Sequence, residues 1–176
     1  MANPEAAKDH PVEQFMEQIK GARCVMLGSP DATQHLQPMS PQIDKDMIEA
    51  AKNGEGGVIY FYSDNTSDLG KAVLNQPGGE VRLTFQDSDY QVSALGRLEP
   101  TTDTALIERF WNVHAAAWYP GGQDDPKMLM LKFTLTGAQV WASTANPAKY
   151  IYEVTKANLT NSVPDLGASE AVEVPA

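Results

Sequence analysis

Val58-Ile59-Tyr60-Phe61-Tyr62-Ser63-Asp64-Asn65-Thr66-Ser67-Asp68 decides how the rest of the chain is read. Its first five residues are all β-branched or aromatic, the side chains that pack best on a pleated sheet. Both alternating faces are apolar, so this strand is expected to be covered on both sides. The chain then switches to hydroxyl, amide and carboxylate side chains. A short helix over residues 66–75 is expected there, stopping before Pro77 despite Gly70. Free N–H groups at a helix start, joined by Ser and Thr hydroxyls, make a cradle for a phosphate. The structural alternative is that Thr66 or Ser67 is only an N-cap.

Upstream, Asp9-His10-Pro11 opens a helix in which Val12, Phe15, Met16 and Ile19 form one apolar stripe. Lys20 suits its last turn and Gly21 the cap beyond it. Residues 22–28 read as a short buried strand, and residues 33–42 as a second. Pro38 and Pro41 confine that second strand to an edge or an irregular ladder. Residues 43–52 read as a short helix or an acidic loop, and residues 53–57 as a turn.

Downstream, Val81, Leu83 and Phe85 alternate with polar residues, and residues 90–99 supply the antiparallel partner strand. Residues 103–118 are expected to be one helix with Leu106, Ile107, Phe110 and Trp111 on one side, ended by Tyr119-Pro120-Gly121-Gly122. Leu129, Leu131, Phe133 and Leu135 mark another strand, followed by a turn at Gly137 and a strand over residues 139–142. Residues 149–159 form a weak helical pattern, and Pro164 onward reads as a tail. Strands that arrive as hairpins with short helices between them do not build βαβ units. This order suits an antiparallel barrel or another α+β domain.

The composition narrows the class of function. A chain of 176 residues, 42% hydrophobic and 20% charged, suits one domain with a sizeable core. Thirteen Lys and Arg against 23 Asp and Glu give a net charge of −10, which opposes nucleic-acid binding and attachment to an anionic membrane. No apolar run is long enough to span a bilayer. Residues 1–5 lack the basic start and apolar core of a signal peptide, and Cys24 is the one cysteine. The cytoplasm is the expected compartment.

Catalytic constellations are sparse. His10, His35 and His114 sit in unrelated settings with no metal-ligand spacing. Cys24 lies in an apolar run and reads as a buried, inert thiol. Ser29 and Ser63 lack the flanking glycines of a nucleophile elbow. Asp44/Asp46 and Asp124/Asp125 read as solvated loop charge. Trp118-Tyr119 beside Pro120-Gly121-Gly122 could wall a flat ring or cap a core.

Taken together, these segments resemble the general stress protein 26 family of flavin-binding split barrels, related to pyridoxamine 5′-phosphate oxidase. The resemblance rests on residues 22–27, on Pro38-Met39, on Ile59-Tyr60-Phe61-Tyr62-Ser63 with Ser67, and on Val92-Ser93-Ala94-Leu95-Gly96-Arg97. Its most specific part is Trp111 with Trp118-Tyr119-Pro120-Gly121-Gly122-Gln123-Asp124-Asp125-Pro126; Leu129 to Phe133 and Pro164-Asp165-Leu166-Gly167 also fit. It implies a mostly β (α+β) fold, a six-stranded antiparallel split β-barrel with short peripheral helices. Residues 11–166 would be the flavin-binding-like domain, residues 1–10 an N-terminal extension and residues 167–176 a C-terminal tail. It also implies a homodimer with two FMN sites at the interface.

By the same resemblance, Ser63 and Ser67 would meet the phosphate, and Gln37-Pro38-Met39 would run along the flavin. Tyr62 would lie near the ribityl chain or ring, and Trp118 would wall it. Two positions depart from the family: Gln37 stands where it has Arg, and Leu69 where it has Lys. Both changes remove positive charge from the place of a dianion, and Lys71 is the nearest replacement. The implied function is FMN binding in a stress-related protein with flavin redox chemistry. The alternative is a non-enzymatic dimer that has lost flavin. Genuine pyridoxamine-phosphate oxidation is disfavoured, because no arginine follows Arg109 to hold a second phosphate.

Overall fold

The computed structural model describes residues 2–29, 35–144 and 146–174. From the N-terminus come α1 (Pro4–Asp9), α2 (Pro11–Lys20), β1 (Val25–Gly28), β2 (Gln37–Met39), α3 (Lys45–Lys52), β3 (Val58–Asp64) and α4 (Asp68–Asn75). There follow β4 (Gly79–Gln86), β5 (Tyr90–Thr101), α5 (Thr104–Phe110), α6 (Val113–Trp118), β6 (Met128–Ser143), α7 (Pro147–Thr160) and β7 (Gly167–Glu173).

Every strand pairing is antiparallel, along the path β2-β1-β4-β5-β6-β3. Just beyond β2, Gln42 and Tyr60 exchange backbone hydrogen bonds of 2.8 and 3.2 Å. The two ends of the path therefore meet, and the sheet curls into the six-stranded barrel architecture that the sequence implies. Inside it Leu27, Ile59, Phe61, Leu83, Leu131 and Phe133 are fully buried, and α2 adds Phe15, Met16 and Ile19 from outside the sheet. Each such side chain contributes roughly 1.5–3 kcal/mol by leaving water.

β6 organises the molecule. β5 runs along one of its edges, while β3 pairs with its first half and β7 with its second. The register with β5 shifts between Leu95 opposite Gly137 and Gly96 opposite Leu135, which leaves Thr136 as a bulge. The turn expected at Gly137 is thus a bend inside one continuous strand: the ladder with β5 resumes on both sides of it. Gly96 is required here, since a Cβ at that position would lie 2.4 Å from the Phe133 ring.

Five other expectations change. The tail is not a tail: Gly167–Glu173 adds a seventh strand to the sheet. Its Ala- and Glu-rich composition carries little β propensity, and pairing with β6 overrides that. The N-terminal extension is likewise built in, with Ala7 fully buried and the Ala2 N–H donating to the buried Asp89 carboxylate at 3.0 Å. The single helix over residues 103–118 is two, because Asn112 leaves helical geometry and caps α6 by accepting from the His114 and Ala115 N–H groups. Cys24, expected to be buried, is exposed at the start of β1. In the strand expected over residues 33–42, only Gln37–Met39 is extended ladder, and residues 30–34 lie outside the described residues. Residues 43–52 resolve as helix α3, capped by Asp44 accepting from the Met47 N–H.

Candidate functional site

β3 alternates strictly. Ile59, Phe61 and Ser63 are buried in the core, while Val58, Tyr60, Tyr62 and Asp64 are half-buried on the other face. The chain's own aromatics cover that second face. Phe110 packs on Tyr60 with ring centroids 5.7 Å apart. Tyr62, Trp111 and Tyr119 form a three-ring cluster with centroids 5.9–6.3 Å apart. The second apolar face of β3 therefore does not by itself call for another subunit.

The Tyr62 hydroxyl donates to the Ile107 carbonyl at 2.6 Å, and the Tyr119 hydroxyl to the Ser63 carbonyl at 2.8 Å. Burial pushes both phenols up to about 12; the Asp64 and Asp125 carboxylates push Tyr119 in the same direction. Both rings stay neutral donors through the physiological range.

At the end of β3 the backbone turns through Asp64. Its Oδ1 accepts from the N–H and the hydroxyl of Thr66, both at 2.6 Å. These hydrogen bonds from Thr66, with the charges of Lys127 and Lys71, hold the Asp64 carboxyl below the usual range. Ser67 then caps α4: its Oγ donates to the Asp64 carbonyl at 2.7 Å and accepts from the Gly70 N–H at 3.0 Å. α4 approaches β3 so closely that a Cβ on Gly70 would lie 2.2 Å from the Asp64 carbonyl oxygen. Gly70 is thus the residue that allows this junction, though it weakens the helix intrinsically.

The Gly-Gly-Gln-Asp-Asp-Pro segment buttresses the same junction. Asp125 accepts from the Gly121 and Lys127 N–H groups at 2.9 Å each, which holds its carboxyl low. Asn65 reaches across to donate its side-chain amide to the Pro126 carbonyl at 2.6 Å. The β3 end therefore carries two anionic carboxylates, Asp64 and Asp125, and two cations, Lys71 and Lys127.

The candidate residues divide. Tyr62, Ser63, Ser67 and Lys71 gather at the β3–α4 junction. The antiparallel bridge at Gln42 runs β2 back toward the Ser63 end of β3. On β2, Met39 packs on the core, Gln37 is half-buried and Pro38 is exposed. Trp118 stands apart, 81% exposed at the end of α6, while its neighbour Tyr119 enters the ring cluster. Leu69 is buried at 2% exposure among core residues and presents no group to a ligand. Asp64 and Lys127 join the junction without a site role assigned from the sequence, while Trp111, Tyr119 and Asp125 belong to the segment that carries the resemblance. The Asp-x-x-Ser spacing at 64 and 67 was the available signal for Asp64.

The residues at this junction fit a phosphorylated flavin through one route only. Ser63 is buried at 6% exposure, and its carbonyl accepts from the Tyr119 hydroxyl. Lys71 is an exposed ammonium whose charge reaches the junction. Ser67, by contrast, has spent its proton on the Asp64 carbonyl. A depression of about 290 Å³ between α3, β3 and α5 contains none of the candidate residues, and its one cation, Arg109, is ion-paired with Asp44 and Asp46. Among the described residues no cluster of His, Cys, Asp and Glu suits a metal ion. Nor is any helix there long and apolar enough to cross a membrane.

Solved structures with this fold carry informative likenesses. A general stress protein 26 from Jannaschia sp. CCS1 superposes with a TM-score of 0.71 at 31% identity, over 92% of this chain and 96% of that one. A general stress family protein from Xanthomonas campestris pv. campestris gives 0.63 at 32% identity, over 83% and 93%. The general stress FMN/FAD binding protein of Xanthomonas citri gives 0.64 at 34% identity, over 77% and 90%. No curated protein matches the chain. The family described as pyridoxamine 5′-phosphate oxidase like matches residues 10–165, nearly the whole barrel. By fold, by these likenesses and by that match, the chain belongs to the pyridoxamine 5′-phosphate oxidase-like family and has the split-barrel fold.

Proposed function

We propose that this is a general stress protein that binds FMN as a homodimer and supports flavin-dependent redox chemistry in the cytoplasm. The observation that carries this reading is the exposed Lys71 ammonium, whose charge reaches Asp64 at the β3–α4 junction, where Ser63 is the preceding residue of β3. A hydroxyl and a cation at a helix start are what a phosphate monoester needs. The likeness to an FMN/FAD binding protein at 34% identity supports the flavin as the group that carries the monoester. Lys71 and Ser63 would hold the phosphate, Gln37, Pro38 and Met39 would flank the flavin, and Tyr62 would keep its ring edge through the Ile107 tether. The flavin, when bound, supplies hydride or electron transfer, and the protein supplies orientation.

Leu69 favours a second reading. Its burial removes the cation that the resemblance places there, and Ser67 has no free proton for a phosphate oxygen. A split-barrel dimer that has lost flavin would look like this. Pyridoxamine-phosphate oxidation is not proposed: Arg109 is tied to Asp44 and Asp46, and Arg82 to Ser93 at 2.7 Å. The absorbance spectrum of the purified protein, before and after incubation with excess FMN and desalting, separates the two readings. Retained flavin bands support FMN binding; a colourless protein after reconstitution supports the second.

A further inference from the structure

We infer that α7 is an arm whose outer face is covered by a second copy of this chain. The inference rests on the homodimer reading above and goes beyond it by naming the surface. The chain leaves the sheet after β6 and re-enters it as β7, and the Thr144 N–H ties the two ends by donating to the Leu166 carbonyl at 2.8 Å. A 14-residue helix projects from that neck. It buries only Glu153 and Ala157. Glu153 is held by Lys156 Nζ at 3.4 Å and by the Asp165 N–H at 3.3 Å.

Three of its exposed apolar residues face the other way, while Tyr150, 53% exposed, lies on the side of Ala157. Ile151, Tyr152 and Leu159 are 66%, 63% and 81% exposed. At about 100° per residue they fall within an arc of about 100°, opposite Glu153 and Ala157. A helix of this length is marginal in water unless a face is packed. Here the face built for packing is the one left open.

Charge and area both point to a second copy as the occupant. The exposed charges of α7 are Lys149 and Lys156, which lie along one edge of the apolar face, on a chain whose net charge is −10. A basic arm complements an acidic body, and the same body repels an anionic lipid surface or a nucleic acid. The chain exposes 10216 Å². A compact monomer of its mass would expose about 8400 Å². The excess, about 1800 Å², is larger than the ~800 Å² per partner of a standard interface and suits a permanent dimer. A two-fold dimer would lay each arm on the other's body.

Two charge-altering double variants test this on the full chain: Ile151→Glu with Leu159→Glu, and Lys149→Glu with Lys156→Glu. Ile151, Leu159 and Lys149 project into solvent and Lys156 makes one ion pair, with Glu153 at 3.4 Å, so circular dichroism first checks that each variant keeps the parent's fold. Light scattering and sedimentation over a dilution series should give the parent twice 19.1 kDa. The apolar-face variant should dissociate at concentrations at least 100-fold higher. The lysine variant should weaken the dimer about tenfold at low salt and little at high salt. A monomeric parent overturns the homodimer reading together with the arm. Variants that dimerise as tightly as the parent overturn the arm alone. Parent protein that co-sediments with phosphatidylglycerol vesicles, while the apolar-face variant does not, assigns the face to a lipid surface and also overturns it.

Discussion

The Tyr119 hydroxyl donates to the Ser63 carbonyl at 2.8 Å inside the protein, and it ties the residue that ends α6 to the last inward-facing residue of β3. Of two adjacent aromatics, Tyr119 is thereby structural, and Trp118 is exposed. Tyr119→Phe should lower stability by about 1–2 kcal/mol, because the Ser63 carbonyl loses its side-chain donor in a buried place. Trp118→Ala should change it by less than about 0.5 kcal/mol. Urea unfolding of the two variants checks the contrast; equal losses would contradict it.

Gly70→Ala should run against helix propensity. An exposed Gly-to-Ala change within a helix usually gains about 1 kcal/mol. Here the new methyl would lie 2.2 Å from the Asp64 carbonyl oxygen, so α4 must separate from the end of β3. The variant should lose about 2 kcal/mol or more, in the range of overpacked cores. A raised melting temperature would show that the junction is looser than described.

Leu69→Lys puts an ammonium into the core. The expected result is a lower melting temperature without flavin and no salt-sensitive gain in FMN affinity. Lys71→Ala should do the reverse: an unchanged melt, FMN binding weakened about tenfold, and riboflavin binding unaffected, since only FMN carries the phosphate. Ser67→Ala should cost about 1 kcal/mol of stability as a lost cap. Its effect on the two flavins should be equal, because its proton already serves Asp64.

The tyrosines set the alkaline limit. Tyr62 and Tyr119 have pKa values raised to about 12 in the fold, against about 10 unfolded, and burial pushes Tyr90 up too. A raised pKa means that the folded state keeps protons the unfolded chain releases. Their contribution is fully present below pH 10 and is lost as pH rises toward 12. The melting temperature should fall steeply over that window, and phenolate absorbance should appear with unfolding. Asp64 and Asp125 have the opposite sign: both are held low, so their contribution is present above pH 4 and is lost as pH falls below it.

Much of this fold is legible in residue alternation. Val81, Leu83 and Phe85 announce β4, and the β-branched and aromatic run at 58–62 announces β3, because one buried face imposes a period of two. β7 escapes the same reading: Ala168, Glu170 and Val172 are too small or too polar to signal a strand. Their placement is decided by β6, some 30 residues away. The break between α5 and α6 was written in Asn112, a capping residue, but the apolar stripe on either side hides it. Gly137 reads as a turn because glycine marks bends of either kind, and only the continuing ladder with β5 makes it a bulge. At the junction, Ser67 was legible as a cap or a phosphate ligand, and the hydrogen bond to Asp64 selects the cap. The aromatic cluster was not legible, because nothing local tells Tyr119 from Trp118 as the ring that turns inward.

The β3–α4 junction is proposed above as the holder of a flavin phosphate. The most direct test of that role is a fluorescence titration of FMN and of riboflavin against the apo-protein, with the Lys71→Ala variant alongside. FMN should bind saturably and riboflavin more weakly, and the difference between the two should vanish when Lys71 is removed. No saturable binding of either flavin, or equal affinity for both in the parent protein, would contradict it.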